Sequence, residues 1–498
     1  MSRNPHLDQF IASFPHEALT FDDVTLITQY ADFLPHEADL NTRLTRRTNL
    51  HVPFISAAMD TVTETDMAVA MAMRGGIGVI HKNLSVEQQA DIVHAVKVHL
   101  NGLIMEPITF RVEQTLDDVR EFRRNRSLSF NGFPILDEND HLVGILTSRD
   151  IKFATDAHAP IRDVMTSDVI SAPAGTTLKE AYRIMQADRI GKLPLVDNGR
   201  LVGLYSYTDV RSLIENEQPL INRDAKYRLR VAAAVGPGDE ERAHALISQD
   251  VDVLVVDTAH GHSQGVLKMT KWIKSNHPDV DVVAGNIATA EAATALRDAG
   301  ADAVKVGIGP GSICTTRVVT GVGIPQLSAI YECAHALDGA IPIIADGGIR
   351  SSGDVAKALA AGADVVMMGS ALAGTEESPG EKIIYQGRQY VVYRGMGSLD
   401  AMKTRAGSRE RYGQGGAGDE ELVPQGIEGM VPYAGTVEQV LRLYAGGLRA
   451  AMGYCGCRTI PEIQQRATFQ RISPAGVAEG HAHDVTITKD APNYRSRS

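Results

Sequence analysis

One cysteine of the chain stands at the end of a glycine-rich loop, an arrangement suited to nucleophilic attack. The segment 307–317 reads GIGPGSICTTR and follows a short run of apolar residues. Its three glycines let the backbone turn tightly and expose N–H and C=O groups toward a ligand. A thiolate is a strong nucleophile when its surroundings are accessible and polar. Cys314 is therefore the candidate nucleophile, with an inert buried thiol as the weaker alternative.

The other three cysteines have simpler explanations. Cys333 falls within the helical pattern Leu327–Leu337, which predicts a position in a core. Cys455 and Cys457 are two residues apart, closer than the usual metal-binding pair, and no histidine cluster lies nearby. Four cysteines in a chain of 498 residues do not form a disulfide framework. We therefore expect these three to be small, at least partly buried thiols.

Two further loops carry small residues directly after apolar runs. Asp346-Gly347-Gly348 follows one run, and Gly369-Ser370 follows the next. Small residues let backbone amides approach a phosphate, whereas the carboxylate of Asp346 would repel it and must serve a ribose hydroxyl pair. Each loop alone could be an ordinary turn, but three neighbouring loops with this pattern indicate a nucleotide site.

The glycines do not match the dinucleotide-binding fingerprint. Gly307, Gly309 and Gly311 follow a predicted strand, but they open the cysteine loop instead of a helix with a ribose-binding acid downstream. A nicotinamide cofactor must therefore bind by another mode.

Eight short runs rich in Val and Ile must position these loops. They are continuously apolar, which is typical of parallel strands buried on both faces, and helical patterns such as Ala290–Ala299 lie between the later ones. Eight strand–helix units predict an α/β fold, a (β/α)8 TIM barrel with its active site at the C-terminal ends of the strands. The predicted strands are Val52–Ser56, Gly76–Ile80, Arg230–Val235, Val251–Val256, Val280–Ala284, Ala303–Val306, Ile341–Ala345 and Asp364–Met368.

The spacing breaks once, between the second and third predicted strands. The insertion contains an internal repeat, FPILD with LVGILTSRDI and then LPLVD with LVGLYSYTDV. Asp150 and Asp209 end the repeated segments at equivalent positions, where a carboxylate can accept both hydroxyls of a ribose; capping of the next helix is the alternative. We predict the barrel at about 1–84 and 228–498 and the insertion at about 85–227, with repeats at about 100–155 and 160–215.

The last part of the chain is less regular. The stretch from about 385 to 435 is rich in Gly and charge and has little periodicity, which predicts a mobile flap. A helix over Val437–Met452 follows, and the polar tail after it has a disordered terminus as its default interpretation.

The composition limits the class of protein. A formal net charge of -12 argues against binding to nucleic acid, which needs concentrated Lys and Arg. The first ten residues lack an apolar signal core, and no apolar stretch is long enough to cross a bilayer. We therefore expect a cytoplasmic protein with no membrane partner.

Together these motifs resemble those of the IMP dehydrogenase family over essentially the whole chain. The matching segments are the cysteine loop, IADGGI at 344–349, MMGS at 367–370, YRGMGS at 393–398 and the pair Arg411-Tyr412. The insertion resembles a tandem CBS (Bateman) domain, which binds adenine or guanine nucleotides in this family. The resemblance implies oxidation of IMP to XMP by NAD, the committed step of guanine nucleotide synthesis. Cys314 would add to C2 of the purine, and hydride transfer would leave a thioimidate.

The resemblance also implies the roles of individual residues. Arg411 and Tyr412 would enter the vacated cofactor site for hydrolysis, with Arg411 as base; Thr316 is an alternative proton relay, because a guanidinium rarely gives up its proton. NAD would contact Asp257, Asn286, Gly307 and Gly309. IMP would be bound by Ser312, Asp346, Gly347, Gly348, Met368, Gly369, Ser370, Tyr393, Met396, Gly397 and Gln425.

A potassium ion and an oligomer are further implications of the resemblance. The carbonyls of Gly309, Gly311 and Cys314 would hold the ion, completed by three residues of a neighbouring subunit, Glu479, Gly480 and His481. Family members are homotetramers, and an octamer remains the alternative.

Two positions depart from the family pattern. Gln425 stands where many bacterial members have Glu, so a carboxylate relay at this position is in doubt, although a hydrogen bond to the purine remains available. Ala57 stands where some members have Ser, so we expect that contact to be lost.

Two rival functions fit part of the pattern. GMP reductase uses the same barrel and also places Cys and Thr in this loop, but reductive deamination needs no hydrolytic flap, so Arg411 and Tyr412 favour the dehydrogenase. A nucleotide-sensing regulatory protein with an inactive barrel would be expected to lose Cys314 or the flap, and both are present.

Overall fold

The computed structural model describes residues 4–13, 17–99, 103–104, 107–126, 132–154, 156, 158–215, 220–488 and 491–494. These form two compact units. The larger comprises Met1–Lys97, Leu220–Asn222 and Leu229–Ser498, and the smaller comprises Val98–Pro219 and Arg223–Arg228.

Eight parallel strands of the larger unit close into a barrel, which confirms the predicted fold class. Each strand pairs with the next in chain order, and the eighth pairs with the first to close the ring. In chain order the barrel strands are Phe54–Ser56, Ile77–Ile80, Ala232–Val235, Val253–Asp257, Asp281–Ile287, Ala303–Val306, Ile343–Asp346 and Val365–Met368.

Side chains along the barrel strands alternate between two cores. On the fourth strand, Val253 and Val255 fill the barrel interior, whereas Leu254 and Val256 pack in the layer beneath the helices. Both faces are buried, so the sequence shows continuous apolar runs. This alternation also decides which side chains at the strand ends face the site, and Asp257 continues the inward set.

Helices surround the barrel and cover its outward-facing side chains. Among the described residues, none of them is long and apolar enough to span a bilayer. The helices of this unit are Pro5–Ala12, Thr65–Met73, Val86–Val98, Glu240–Ser248, Gln264–Asn276, Ala290–Asp298, Thr316–Thr320, Gln326–Leu337, Ser352–Ala360, Ser370–Ala373, Leu399–Thr404, Ala406–Arg411, Val437–Tyr454, Ile460–Arg466 and Pro474–Glu479, with short 3-10 turns at Phe21–Asp23 and Pro35–Glu37.

The predicted boundary at residue 84 is wrong, because the next helix belongs to the barrel. The side-chain amide of Gln89, in helix Val86–Val98, donates hydrogen bonds to the carbonyls of Ile80 at 3.2 Å and Ala234 at 2.9 Å. The helix therefore packs as the partner of the second strand, and the insertion begins at its end. The other boundary, at Arg228, lies within one residue of the prediction.

The inserted unit repeats one arrangement twice, in agreement with the internal repeat. In each half a helix precedes an antiparallel hairpin, and a short parallel strand extends the sheet. The first half contains Phe110–Arg111, Leu116–Arg126, Phe133–Leu136 and Leu142–Leu146, followed by helices Ser148–Phe153 and Ile161–Val164. The second contains Ala172–Pro173, Leu178–Ala187, Lys192–Asp197, Arg200–Ser206 and Tyr207–Glu215, with Leu103–Ile104 at its sheet edge. The predicted limits of the first repeat, residues 100 and 155, lie outside the described residues.

The stretch predicted as a structureless flap contains a sheet. Strands Lys382–Tyr385, Arg388–Arg394 and Glu428–Pro432 pair antiparallel, and the helices Leu399–Thr404 and Ala406–Arg411 lie between the last two. Most residues of Lys382–Tyr385 are exposed, so this edge strand lacks the apolar alternation by which a strand is recognised.

The polar tail is also folded over much of its length. Phe469–Arg471 pairs antiparallel with Val24–Leu26 near the start of the chain, and Ile460 and Ile463 are buried. The default of a disordered terminus is therefore wrong up to this strand. Its partner lies more than 400 residues away, a distance at which no local pattern indicates pairing.

Candidate active site

The loop that carries the cysteine leaves the sixth barrel strand at a turn that requires glycine. Gly307 has a φ of +152°, and a Cβ added there would lie 2.0 Å from the carbonyl oxygen of Asp346. Farther along, the N–H of Cys314 donates to the carbonyl of Gly311 at 3.1 Å, and the short helix Thr316–Thr320 follows. The loop is a compact turn that ends by presenting the thiol.

Cys314 differs from the other cysteines in its solvent exposure and in the hydroxyl group beside its sulfur. It is partly exposed, whereas Cys333, Cys455 and Cys457 are buried, as predicted for core thiols. Burial raises the pKa of Cys333 to about 12 and that of Cys457 to about 11, so both stay protonated near neutral pH. The Sγ of Cys314 lies 3.1 Å from the hydroxyl of Thr316. These features distinguish Cys314 from the other three cysteines and keep it as the candidate nucleophile.

A second segment holds the cysteine loop from the opposite side. The N–H of Thr315 donates to the carbonyl of Gln425 at 3.0 Å, and Cys314 forms an antiparallel bridge with Gly426. This pairing places Gln425 beside the cysteine loop, and its predicted contact with the purine stays a prediction.

A cavity of about 140 Å³ opens in front of the thiol at the C-terminal ends of the strands. It brings together loops that are far apart in sequence, and Ala57 lines it at the position where a Ser contact was expected to be lost. The predicted site residues that line the cavity are Asp257, Asn286, Gly307, Gly309, Gly311, Ser312, Cys314, Thr316, Asp346, Gly347, Gly348, Gly369, Ser370, Tyr393, Met396, Arg411, Tyr412 and Gln425.

Two residues predicted to contact IMP do not line this cavity. Met368 belongs to the outward set of its strand and its side chain is buried beneath the helices, so its predicted contact with IMP stays a prediction that this side chain does not support. Its neighbour Met367 points inward and lines the cavity. Gly397 lies behind Tyr412, where an added Cβ would be 2.7 Å from the ring. A side chain at this position would displace that ring, and the predicted contact of Gly397 with IMP stays a prediction.

The predicted tail residues also lie outside the cavity of their own chain. Glu479 ends helix Pro474–Glu479, Gly480 is its C-cap, and the Nδ1 of His481 lies 3.3 Å from the hydroxyl of Tyr494. Their predicted role involves a neighbouring subunit and stays a prediction.

The two aspartates of the insertion occupy equivalent first-turn positions. Asp150 accepts hydrogen bonds from the N–H and the hydroxyl of Thr147, each at 2.7 Å, and so caps helix Ser148–Phe153. Asp209 lies in the first turn of Tyr207–Glu215. For Asp150 the capping alternative is therefore present, and it leaves the carboxylate's other oxygen for a further partner.

A buried lysine that the sequence analysis missed lies at the centre of the site. Lys305 is inward-facing on the sixth strand and its side chain is 1% exposed. Its Nζ lies 2.7 Å from Asp346 Oδ2 and 2.9 Å from Asp257 Oδ1. The same nitrogen also donates to the side-chain oxygen Oδ1 of Asn286. Asn286 in turn donates to Asp346 at 2.8 Å. The lysine therefore joins the predicted ribose carboxylate to the predicted cofactor residues.

The signal for Lys305 was present in the sequence. A single lysine interrupts the apolar strand Ala303–Val306, and charged residues are almost never fully buried unless they are paired. Strand alternation points Lys305 toward the barrel interior. Asp257 and Asp346, which end the fourth and seventh strands, point the same way. A lysine facing two inward carboxylates is recognisable once the strand register is known.

Arg411 closes the cavity by pairing with the residue predicted to bind NAD. Its Nε and a terminal nitrogen donate to the two carboxylate oxygens of Asp257 at 2.8 and 3.1 Å. Burial alone would lower the pKa of Arg411, but the charge of Asp257 outweighs it and raises that pKa. Burial alone would raise the pKa of Asp257, but Arg411 and Lys305 hold it below its usual range. Asp257 cannot serve this arginine and a cofactor at the same time.

Two tyrosines complete the site as neutral hydroxyls. Burial raises the pKa of Tyr393, although a hydrogen bond with Ser312 acts in the opposite direction. A Cβ on Gly369 would lie 3.0 Å from the Tyr393 hydroxyl, which therefore rests on the loop after the eighth strand. Burial likewise raises the pKa of Tyr412, whose ring lies 5.5 Å from the Arg411 guanidinium carbon.

The fold and the site define a class of protein, a (β/α)8-barrel enzyme with an accessible cysteine among small-residue loops and an arginine–tyrosine pair over the cavity. A family model described as IMP dehydrogenase / GMP reductase domain matches residues 18–483. The chain belongs to this family.

Curated relatives cover nearly the whole chain. An inosine-5'-monophosphate dehydrogenase from Aquifex aeolicus is 53% identical, covering 96% of this chain and 98% of the relative. Relatives with the same name from Halalkalibacterium halodurans and Pasteurella multocida are 51% and 50% identical, covering 97% and 96% of this chain and 99% and 98% of their own lengths.

A solved structure has the same fold at its full length. It is a cysteine-to-alanine variant of GMP reductase from Trypanosoma brucei, in complex with guanosine 5'-monophosphate. It is 39% identical with a TM-score of 0.80, covering 96% of this chain and 100% of that chain.

Proposed function

We propose that the protein oxidises IMP to XMP with NAD as hydride acceptor, the committed step of guanine nucleotide synthesis. The observation that carries this proposal is the partly exposed thiol of Cys314 in a cavity that Arg411 and Tyr412 also line. Relatives at 50–53% identity over nearly their whole length bear the name of this activity.

The chemistry begins at the thiol. The Cys314 sulfur adds to C2 of the purine, and the hydride of that carbon passes to the nicotinamide of NAD. The product is a thioimidate on Cys314. Water then adds to C2, the carbon–sulfur bond breaks, the thiol takes up a proton and XMP leaves. The chain must therefore support two steps with different needs, a dry hydride transfer and a hydrolysis.

The loops around the cavity divide the work of binding IMP. The amides of the Gly347-Gly348 and Gly369-Ser370 loops, with Ser312, receive the phosphate, and the neutral hydroxyl of Tyr393 lies beside them. Asp346 receives the ribose hydroxyls and is held in place by Lys305 and Asn286. Gln425 and Met396 face the purine.

The carboxylate of Asp257 binds NAD first and Arg411 of the flap afterwards. Asp257 and Asn286, with the loop at Gly307 and Gly309, receive NAD during hydride transfer. Once NADH leaves, Arg411 takes over Asp257 and brings Tyr412 to the cavity for hydrolysis. A raised pKa opposes loss of a proton from Arg411, so Thr316, 3.1 Å from the sulfur, stays an alternative relay for the water.

The test of the function is a comparison of two substrate pairs. We expect IMP with NAD to yield NADH and XMP, and GMP with a reduced nicotinamide cofactor to yield no IMP. The second pair is the reaction of a GMP reductase with a CBS pair, the rival that shares this barrel. Turnover of the second pair alone would replace the proposal by that rival.

A potassium ion fits the donors of the cysteine loop. The predicted ligands are backbone carbonyls of Gly309, Gly311 and Cys314, oxygen donors of the kind that suit a large monovalent cation. Within the described residues, no three His, Cys, Asp or Glu side chains lie close enough to hold a metal ion. The ion would steady the loop that presents the thiol, with Glu479, Gly480 and His481 of a neighbouring subunit as the remaining ligands.

We therefore expect potassium to activate the enzyme and lithium not to, because a small, strongly hydrated ion does not fit a carbonyl cage. Truncation before Glu479 should remove the activation, whereas truncation after His481 should preserve it. Initial rates in the two salts at equal ionic strength provide the measurement. Equal rates in potassium and lithium would contradict the site.

The inserted unit acts as a tandem CBS domain that binds adenine or guanine nucleotides. The repeated halves support this role, with Asp150 and Asp209 at equivalent positions for a ribose. We expect Asp150→Ala and Asp209→Ala each to weaken ATP or GTP binding by about tenfold, the scale of a hydrogen bond to a charged group. Isothermal calorimetry on the full chain measures this.

The control at Asp150 separates its two roles. Asp150→Asn keeps an oxygen that can accept the Thr147 N–H but removes the charge. Unchanged affinity in both alanine variants would support helix capping as the whole role of these residues.

The same unit should be dispensable for chemistry. Deleting residues 99–219 with a short linker retains helix Val86–Val98, which belongs to the barrel. We expect turnover of IMP to stay within about threefold of the full chain, because the insertion joins consecutive barrel strands. Loss of all activity would show that the unit supports the barrel.

Assembly into a homotetramer, or an octamer, agrees with apolar residues left on the surface. Val318 and Val322 are 89% and 60% exposed directly after the cysteine loop, and Tyr30 is 85% exposed. Apolar residues exposed close together, as Val318 and Val322 are within one short segment, occur at subunit contacts when they form a contiguous patch. The cytoplasmic location stays a prediction.

A further inference from the structure

Lys82 is a buried lysine that does not line the catalytic cavity. It follows the second barrel strand, and its side chain is 5% exposed. Its Nζ lies 2.8 Å from Glu410 Oε2 and 3.4 Å from Asp239 Oδ2. A buried lysine needs such partners to stay charged. Two carboxylates therefore neutralise it, and Glu410 is the residue directly before Arg411.

The two carboxylates are held in different ways. Asp239 is fixed to the barrel, because it accepts the N–H of Gly236 at 2.7 Å and pairs with Arg242 at 3.6 Å. Glu410 belongs to the helix Ala406–Arg411, here called the flap helix, and its side chain is 46% exposed. Lys82 thus has one partner on the barrel and one on the segment that carries the catalytic arginine.

The flap helix packs closely against the barrel at this point, but two buried polar groups in the contact lack hydrogen-bond partners among the described residues. A Cβ on Gly407 would lie 2.6 Å from the carbonyl oxygen of Lys82. The side-chain oxygens of Asn83, on the barrel, and Ser408, on the flap helix, are buried without a hydrogen-bond partner among the described residues. Unpaired buried polar groups are unfavourable. The docked position therefore depends on other contacts to hold it.

We propose that Lys82 is a positioning residue for hydrolysis, holding the flap helix on the barrel through its ion pair with Glu410. The proposal rests on the proposed function, in which NAD and the flap use Asp257 in turn. When the flap helix leaves, Lys82 keeps Asp239, so no buried charge is left unpaired. The pair adjusts the ratio of docked to undocked flap and leaves hydride transfer unchanged.

The test is Glu410→Gln, which keeps the shape of the side chain and removes its charge. Because Lys82 retains Asp239, the variant should fold and melt like the wild type. Two quantities are measured, the rate of thioimidate hydrolysis and the concentration of NAD that inhibits that hydrolysis by occupying the open site. The burst of NADH gives hydride transfer in the same experiment.

The two quantities are linked by the docking constant. If the docked form hydrolyses and the undocked form binds NAD, the fold loss of hydrolysis multiplied by the fold gain in apparent NAD affinity equals the fold loss of docking. We expect this product to be about threefold or more, the scale for a partly buried ion pair, with an unchanged burst. A product of about one would overturn the proposal.

Two controls separate the ion pair from a general effect on the flap. Asp419→Asn removes the pair between Arg409 and Asp419, which lies wholly within the flap and moves with it, so its product should stay about one. Lys82→Met combined with Glu410→Gln should be no worse than either change alone, because both remove the same interaction. Additive losses, or an equal effect of Asp419→Asn, would overturn the role of the pair. Absence of NADH formation by the wild type would instead overturn the proposed function.

Discussion

Replacing Cys314 by serine should abolish turnover of IMP, lowering the rate at least roughly 10⁴-fold, the scale seen when a covalent nucleophile is removed. An alcohol is far less ionised than a thiol near neutral pH, so the serine oxygen cannot add to the purine at a useful rate. The loop itself should persist, because its turn depends on Gly307 and on backbone hydrogen bonds. Steady-state NADH formation measures the loss.

Cys333→Ser is the matched control for this change. Its thiol is fully buried and burial raises its pKa to about 12, so it has no part in catalysis. We expect some loss of stability from a hydroxyl placed in a core, with turnover retained in the folded fraction. Full activity in the Cys314→Ser protein, or inactivity of folded Cys333→Ser protein, would reverse the assignment.

Replacing Arg411 by alanine should slow hydrolysis by about 10²–10⁴-fold, the range for loss of a positioned proton-transfer group. Hydride transfer should change much less, because in the proposed cycle Asp257, which pairs with Arg411 here, first receives NAD and accepts the arginine only after NADH leaves. The expected trace is therefore a rapid burst of NADH, about one per site, followed by very slow turnover. Stopped-flow absorbance resolves the two phases.

Arg411→Lys separates charge from geometry at the same position. A lysine keeps the positive charge near Asp257 but cannot make the two-point contact of the guanidinium. Partial recovery of hydrolysis would show that charge contributes to docking. If burst and steady state fall equally in Arg411→Ala, the residue is structural or positions IMP.

The barrel was predictable from sequence because its signal is local and repeated. Parallel strands buried on both faces read as apolar runs, and all eight predicted runs contain or overlap the observed strands. The loops that carry Cys314, Asp346 and Gly369 followed from the same logic, since loops after consecutive strands must meet at one end of the barrel. The remaining site residues were implied by the resemblance to the IMP dehydrogenase family.

Sequence reasoning fell short where the direction of a side chain, or the pairing of strands far apart in the chain, decides the structure. The motif at 367–370 predicts Met368 as an IMP contact, but side-chain direction depends on strand register, which puts the side chain of Met367 in the cavity and that of Met368 in the outer core. Lys305 lay inside an apolar run and was read as part of it, although its register points it at two carboxylates. The strand Phe469–Arg471 could not be predicted, because its partner is at the other end of the chain.

The helix Val86–Val98 shows a third source of error. Its apolar pattern is weakened because buried Gln89 and Lys97 share the inner face with Ala90, Val93 and Val96. A polar side chain can be buried when it forms hydrogen bonds there. Gln89 does so by donating to two strand carbonyls. Those partners are visible only in the folded chain.

The central claim is that Cys314 carries the purine during turnover. The most direct measurement is mass spectrometry of wild-type protein quenched in acid while it turns over IMP and NAD. We predict a mass increase corresponding to a covalent purine nucleotide, located by digestion on the peptide that contains Cys314 and absent from Cys314→Ser. An unmodified Cys314 during active turnover, or an adduct on Cys333 instead, would contradict the account.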